Sequence, residues 1–163
     1  MFSVFKKKEN ITLYAPVTGK TIAITQVPDK VFAEKMMGEG IGFQFEDAIV
    51  YAPCDGIIAT VAHTSHAVGI TAKNGAEILI HIGLDTVNLN GQGLHAFVQT
   101  GDKVKKGTPS IEIDRAFMKE QGVNLTTPMV VTNTSEYKMT IEDAGGHVIK
   151  LFHLIRSRRE KYS

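Results

Sequence analysis

The sequence has no tryptophan and only one cysteine, Cys54, among 163 residues. A lone thiol cannot close an internal disulfide, so the fold must rest on a packed core, and a reducing compartment suits it. Neither sign of charge dominates: 18 Lys and Arg against 17 Asp and Glu leave a formal +1. That balance creates no global field for nucleic acid or acidic lipid. No apolar run approaches the roughly 20 residues that a bilayer-spanning helix needs. The opening residues Met1-Phe2-Ser3-Val4-Phe5-Lys6-Lys7-Lys8 put a short apolar stretch before the charge. A secretory signal has the reverse order, so no export and a cytoplasmic location are expected. Linkers and low-complexity segments are also missing, so a single domain over residues 11–155 is expected. Residues 1–10 are expected to form a flexible tail and 156–163 a basic tail. Basic residues gather in both tails: Lys6, Lys7 and Lys8, then Arg156, Arg158, Arg159 and Lys161. The plain reading is solvated ends. The sharper one is weak attraction to an anionic membrane surface, with Phe2, Val4 and Phe5 entering the interface.

What is present is a 43% hydrophobic chain broken into short apolar runs by Gly, Pro, Asp and Asn. Candidate strands are Ile11–Tyr14, Thr21–Gln26, Ile41–Phe45, Ile49–Tyr51, Ile57–Val61, Ala67–Thr71, Glu77–His81, Leu94–Val98, Ser110–Ile113 and Met129–Thr132. Strands this short and closely spaced predict an all-β sandwich or barrel. Helix signals are few. Asp114–Gln121 has a capping Asp114 and a stopping Gly122, enough for two turns. Asp143 to Gly146 reads as a loop. One motif occurs twice: Leu13-Tyr14-Ala15-Pro16-Val17-Thr18-Gly19 is echoed by Val50-Tyr51-Ala52-Pro53-Cys54-Asp55-Gly56. In each copy proline ends a strand and glycine permits the turn that follows, which suggests a duplicated β unit.

Six histidines are present, and a lone histidine is usually a packing or surface residue. His81 differs in its setting. It ends the apolar run Ile78-Leu79-Ile80 and is followed by Ile82-Gly83, where a substrate or partner backbone can approach closely. Neutral imidazole is a good nucleophile near neutral pH, provided one ring nitrogen is held so that the other presents its lone pair. A backbone carbonyl in the Ile82-Gly83 turn is a suitable holder. His66, in Thr64-Ser65-His66-Ala67, lies at another strand edge. Asn74-Gly75 between the two strands is a hairpin signal. A two-residue turn there places Val68 opposite His81 and His66 diagonal to it on the same face. Thr64 has a hydroxyl able to orient His66. Two histidines also invite a zinc reading, with His81 and Asp85 spaced as H-x-x-x-D. A structural zinc needs four ligands and a catalytic one usually three, and no His-x-His pair supplies the rest. A zinc peptidase is therefore disfavoured. A lipoyl- or biotinyl-carrier domain is suggested by Gly101-Asp102-Lys103-Val104-Lys105-Lys106-Gly107 but lacks a lone lysine at a hairpin tip flanked by Met or Asp.

A series of motifs in order resembles one family. They are Tyr14-Ala15-Pro16 with Gly19, Val27-Pro28-Asp29-Lys30-Val31-Phe32-Ala33-Glu34-Lys35, and Gly38-Glu39-Gly40-Ile41. Ala52-Pro53 to Gly56, Thr64-Ser65-His66-Ala67 and Glu77 through Val87 follow, then Gly101-Asp102-Lys103-Val104 and Thr127-Pro128. Over roughly residues 11 to 135 the chain is similar to the glucose-class enzyme IIA of the bacterial phosphoenolpyruvate-dependent sugar phosphotransferase system. The resemblance implies an antiparallel β-sandwich with few helices. It implies that His81 Nε2 accepts phosphoryl from the phosphocarrier HPr and passes it to a sugar-specific IIB domain, coupling sugar uptake to phosphorylation. His66 would stabilise the phosphoryl group and Thr64 would support His66. Asp29 and Asp85 would flank the site, and Val31, Phe32, Met36 and Ile41 would form an apolar rim for partners. No cofactor is required by this reading. A zinc ion held by His66, His81 and a partner's carboxylate is the one metal it admits. The alternative function is a phosphorylation-dependent regulatory module that binds transporters or kinases, since added phosphoryl charge among acids would change which partners dock.

Overall fold

A computed structural model of the chain describes residues 10–142 and 151–156. The strands are β1 (Ile11–Tyr14), β2 (Gly19–Ala23), β3 (Glu39–Phe45), β4 (Ile49–Tyr51), β5 (Gly56–Val61), β6 (Ala67–Ala72), β7 (Glu77–His81), β8 (Leu94–Ala96), β9 (Lys103–Val104), β10 (Pro109–Ile113), β11 (Thr127–Val131), β12 (Tyr137–Glu142) and β13 (Leu151–Arg156). Two short helices, α1 (Lys30–Ala33) and α2 (Arg115–Glu120), and three 3-10 turns complete the elements among the described residues. Every strand pairing is antiparallel. The main sheet runs β2-β3-β11-β7-β6-β5-β9, beside two three-stranded sheets, β1-β13-β12 and β4-β10-β8. The fold is thus an all-β sandwich with few helices, as expected.

Side-chain alternation explains the layers. In β7, Ile78 and Ile80 are buried while Glu77, Leu79 and His81 are half-buried on the other face. A strand sends successive side chains to opposite faces. Ile78 and Ile80 join the main core with Phe43, Ile58, Ile70, Ile111 and Met129. The opposite face is covered by a small second cluster of Ile24, Val27, Phe32, Leu84 and Val130, with Leu79 packed against it. His81 therefore ends up beside the small cluster rather than inside the main core.

The repeated motif acquires a physical meaning. Tyr14 N–H donates to Pro53 O at 2.9 Å, and Tyr51 N–H donates to Pro16 O at 2.8 Å. The spacing that carries Tyr14 onto Tyr51 also carries Pro16 onto Pro53, so the two bonds are images of one another. The duplicated turns satisfy each other's backbone across a local two-fold relation. Cys54, in the second copy, is buried, and burial followed by the charge of Asp55 pushes its thiol up to about 12. It is a packing residue at neutral pH.

Several expectations are corrected. The anticipated strand Thr21–Gln26 stops at Ala23, and Ile24–Gln26 form a 3-10 turn. Pro28 holds Val27 extended and ends the local structure there. The helix at Asp114 is present, with the Asp114 side chain accepting from Phe117 N–H and Gly122 at φ +66 after its end. Helix α1 was not anticipated; Asp29 caps it by accepting from Val31 N–H at 3.0 Å. β9, β12 and β13 were also missed. The loop expected over Asp143 to Gly146 and both chain ends lie outside the described residues.

The hairpin register also differs. Ala67 faces His81 and Val68 faces Ile80, one residue away from the predicted pairing. The turn is longer than two residues: Gly75 N–H donates to Ala72 O, and Ala72 N–H to Ala76 O. Gly75 is left-handed (φ +87), while Asn74 is not, and its Oδ1 accepts from Ala76 N–H. This is the three-residue type of connection, in which glycine takes the left-handed position.

Candidate functional site

The register correction changes how the two imidazoles meet. His66 lies before β6 begins, so the two rings are not a same-face pair within the ladder. Ser65, at φ +58, turns the chain and redirects the residue after it. His66 O then accepts from Ile82 N–H at 2.6 Å, which ties the turn to the residue following His81. The rings come to 5.2 Å between centroids at 69°, edge to face. Both residues are half-buried.

Each ring has one partner on Nδ1. His81 Nδ1 is 2.7 Å from Gly83 O. A carbonyl can only accept, so Nδ1 carries the proton and Nε2 presents a lone pair. His66 Nδ1 is 2.5 Å from Thr64 Oγ1. A hydroxyl can donate or accept, so this contact allows either tautomer. The pKa of His66 is lowered from its ordinary 6.5, first by partial burial and then by the nearby His81 charge. His66 is therefore neutral at pH 7. When Thr64 donates to Nδ1, the remaining proton of His66 sits on Nε2 and is available to an oxygen ligand.

Gly83 is required by geometry. Its φ is +69, and a Cβ there would lie 2.8 Å from Thr86 Cγ2 and 3.1 Å from Asn124 O. Only a residue without a side chain turns its carbonyl back toward His81 in that space.

The surroundings separate the expected rim into two groups. Phe32 packs under the site, its ring 5.2 Å from that of His81, and is itself buried. Ile41 is also buried and belongs to the main core, where it pairs with Met129. The rim drawn through Phe32 and Ile41 is therefore not a surface at those two positions, because β3 turns Ile41 inward and α1 folds Phe32 against Leu84 and Val130. Val31 and Met36 are exposed, at 42% and 68%, and so are Met37 and Val87. Val87 was not placed on the rim, although it closes the motif that runs from Glu77 through Val87. Asp29 is engaged in capping α1, whereas Asp85 is exposed with a left-handed backbone.

The site opens on a surface. A cleft of about 600 Å³ lined by Gln44, Arg115, Lys119 and Asn124 includes neither histidine. An open pair of imidazoles beside exposed apolar side chains fits a macromolecular partner better than a buried small molecule. Among the described residues, no group of three His, Cys, Asp or Glu is placed to hold a metal ion. None of the described helices is long and apolar enough to cross a membrane.

Comparison with known proteins agrees on one family. Residues 11–137 match the model of the phosphoenolpyruvate-dependent sugar phosphotransferase system, EIIA 1. The chain is 41% identical over 138 residues to the glucose-specific EIICBA component of Staphylococcus saprophyticus subsp. saprophyticus. That match takes in 85% of this chain but only 20% of the relative. Among solved structures, the glucose permease IIA from Mycoplasma capricolum superposes with a TM-score of 0.77 at 32% identity, over 91% of this chain and 99% of that one.

Proposed function

Because this chain belongs to the EIIA 1 family of the phosphoenolpyruvate-dependent sugar phosphotransferase system, and so is a phosphoryl carrier, we propose that His81 Nε2 carries the phosphoryl group. The observation that supports this most directly is the Nδ1–H···O=C bond to Gly83, which leaves the lone pair on Nε2 of the half-buried ring. In the forward step Nε2 attacks the phosphorus of a phosphohistidine donor. A new N–P bond forms, the donor's N–P bond breaks, and its electron pair stays with the donor. Positive charge left on the His81 ring is spread through Nδ1–H toward the Gly83 carbonyl. Such a transfer depends on positioning and charge stabilisation rather than on further covalent groups. His66, neutral and oriented by Thr64, donates from Nε2 to a phosphoryl oxygen.

The donor in this reading is phospho-HPr and the recipient a sugar-specific IIB domain, with glucose as the sugar class and the cytoplasm as the location. Val31, Met36, Met37 and Val87 form the apolar docking surface, with Asp85 at its margin. The same surface supports the regulatory alternative, in which an unphosphorylated site accepts a target that a phosphorylated one repels. A zinc ion at such an interface would take His66 and His81 and would need its remaining ligands from the partner.

The test is a phosphorelay from labelled phosphoenolpyruvate through enzyme I and HPr. His81→Ala is expected to remove labelling entirely while leaving the circular dichroism spectrum unchanged. Labelling of His81→Ala at the wild-type level would show that the acceptor is another residue.

A further inference from the structure

In the turn after His81, the amides of Ile82, Gly83 and Leu84 and the carbonyls of Ile82 and Gly83 all have partners. Ile82 N–H donates to His66 O, and Leu84 N–H to Asn124 O at 2.9 Å. Gly83 N–H donates to Thr127 Oγ1 at 3.2 Å, and the Thr127 hydroxyl donates onward to Leu125 O at 2.9 Å. On the other side of the same peptide group, the Thr86 hydroxyl donates to Ile82 O at 2.5 Å. The Ile82–Gly83 peptide is thus gripped at its C=O by Thr86 and at its N–H by Thr127. Both threonines are fully buried, at 0% exposure.

This grip answers a difficulty that glycine creates. Gly83 is the residue that fits the space, but glycine is also the residue whose backbone can most easily adopt other conformations. Its carbonyl decides the tautomer of His81, because it is the partner of Nδ1. A carbonyl swung away would leave Nδ1 free to lose its proton to Nε2, and the nucleophilic lone pair would be on the wrong nitrogen. We infer that Thr127 and Thr86 are positioning residues for phosphoryl transfer: their buried hydroxyls fix the Ile82–Gly83 peptide, the unit just before the Gly83 carbonyl, and with Leu84 N–H bonded to Asn124 O on the next unit this keeps His81 in the tautomer with Nε2 unprotonated. The inference rests on the reading of His81 as acceptor. Neither hydroxyl touches the phosphoryl group. A plain structural role, satisfying buried backbone groups, would affect stability without moving the tautomer.

The decisive variants are Thr127→Val, which keeps the shape and removes the hydroxyl, and Thr127→Ser, which restores it. Two readouts apply at neutral pH. One is the tautomer of the His81 ring by 15N NMR. The other is the rate of phosphorylation by phosphoramidate, a small donor that releases ammonia and needs no docking surface. Thr127→Val is expected to raise the fraction of His81 protonated on Nε2 and to slow phosphorylation about 10-fold, the lower end of what is lost when a group orienting a metal-binding histidine is removed. Thr127→Ser should recover both. A folded Thr127→Val with the wild-type tautomer and wild-type rate would overturn the inference. Should Thr127→Val not fold, Thr86→Val and Thr86→Ser take its place with the same readouts and the same outcomes. Should neither valine variant fold, the His81 tautomer in the wild type decides: a ring protonated on Nδ1 is expected, and a ring protonated mainly on Nε2 overturns the inference. Label persisting in His81→Ala would remove the acceptor reading and leave the tautomer shift standing, so the two failures are distinguishable.

Discussion

His81 ends a strand and gives its Nδ1 proton to a peptide carbonyl, whereas His66 lies in a turn and meets a hydroxyl two residues away in its own segment. The first partner is one-way: it can only accept, and the peptide just before it is gripped by the buried hydroxyls of Thr86 and Thr127. The second can rotate, and can donate or accept. The difference suits the two parts that phosphoryl transfer asks for. A nucleophile must present the same lone pair each time, so rigid support helps it. A residue that steadies a group arriving and leaving benefits from a partner able to reverse its hydrogen bond.

The comparison is broken most severely by His66→Gln. Glutamine keeps a donor but in a longer, differently placed side chain, so acceptance of phosphoryl at His81 is expected to persist, while donation to IIB falls by about 10²–10³, as much as when a donor in such a site is removed. Rapid-quench measurements of both half-reactions decide it, and wild-type donation rates would reduce His66 to packing. A smaller effect is expected from Thr64→Val, about 10-fold on donation. Acceptance should change little and Thr64→Ser should recover, since the hydroxyl acts through His66. Equal losses in both half-reactions would show that Thr64 supports the whole site rather than one ring.

Next in size is the docking surface. Val31→Ser and Met36→Ser should each weaken HPr binding by roughly 1 kcal/mol, a several-fold rise in Kd read by calorimetry. Phe32→Ser is a poorer probe, because Phe32 is 5% exposed and its loss would also open the small cluster beneath His81. Unchanged affinity in both surface variants would move the interface elsewhere.

The smallest effect is a pH dependence. The folded pKa of His66 lies below its ordinary 6.5, through burial and the His81 charge. The unfolded chain therefore binds the proton more readily than the folded one over that interval, and stability rises with pH there. Its contribution is present above about 6.5 and is lost as pH falls through the lower folded value. Urea midpoints measured from pH 7.5 down to 5 should decline less in His66→Gln than in the wild type. Parallel curves would mean that the ring is not desolvated in solution.

Much of this was legible in the sequence because it is local. Strands β4 and β7 and the capped helix at Asp114 follow from apolar spacing and from turn residues that act on their immediate neighbours. His81 stood out for the same reason, as a titratable ring closing an apolar run before Gly83. The hairpin register was not legible. Asn74-Gly75 is compatible with turns of two lengths, and the choice is settled by Asn74 Oδ1 accepting from Ala76 N–H, while the Tyr137 hydroxyl, arriving from β12, donates to Asn74 O.

The sequence alone determined a short-stranded β protein with a duplicated Pro–Gly turn and two candidate histidines near strand ends. Only the tertiary structure decided that the duplicated turns bond to each other. It alone buries Phe32 and Ile41 while leaving Val31 and Met36 outside. It alone brings Thr127, 44 positions beyond Gly83 in the chain, against the Gly83 amide. Alternation and capping are set by neighbours in the chain and leave a mark in sequence. The partner of a hydrogen bond across a sandwich is set by how whole sheets pack, and no spacing between the two residues records it.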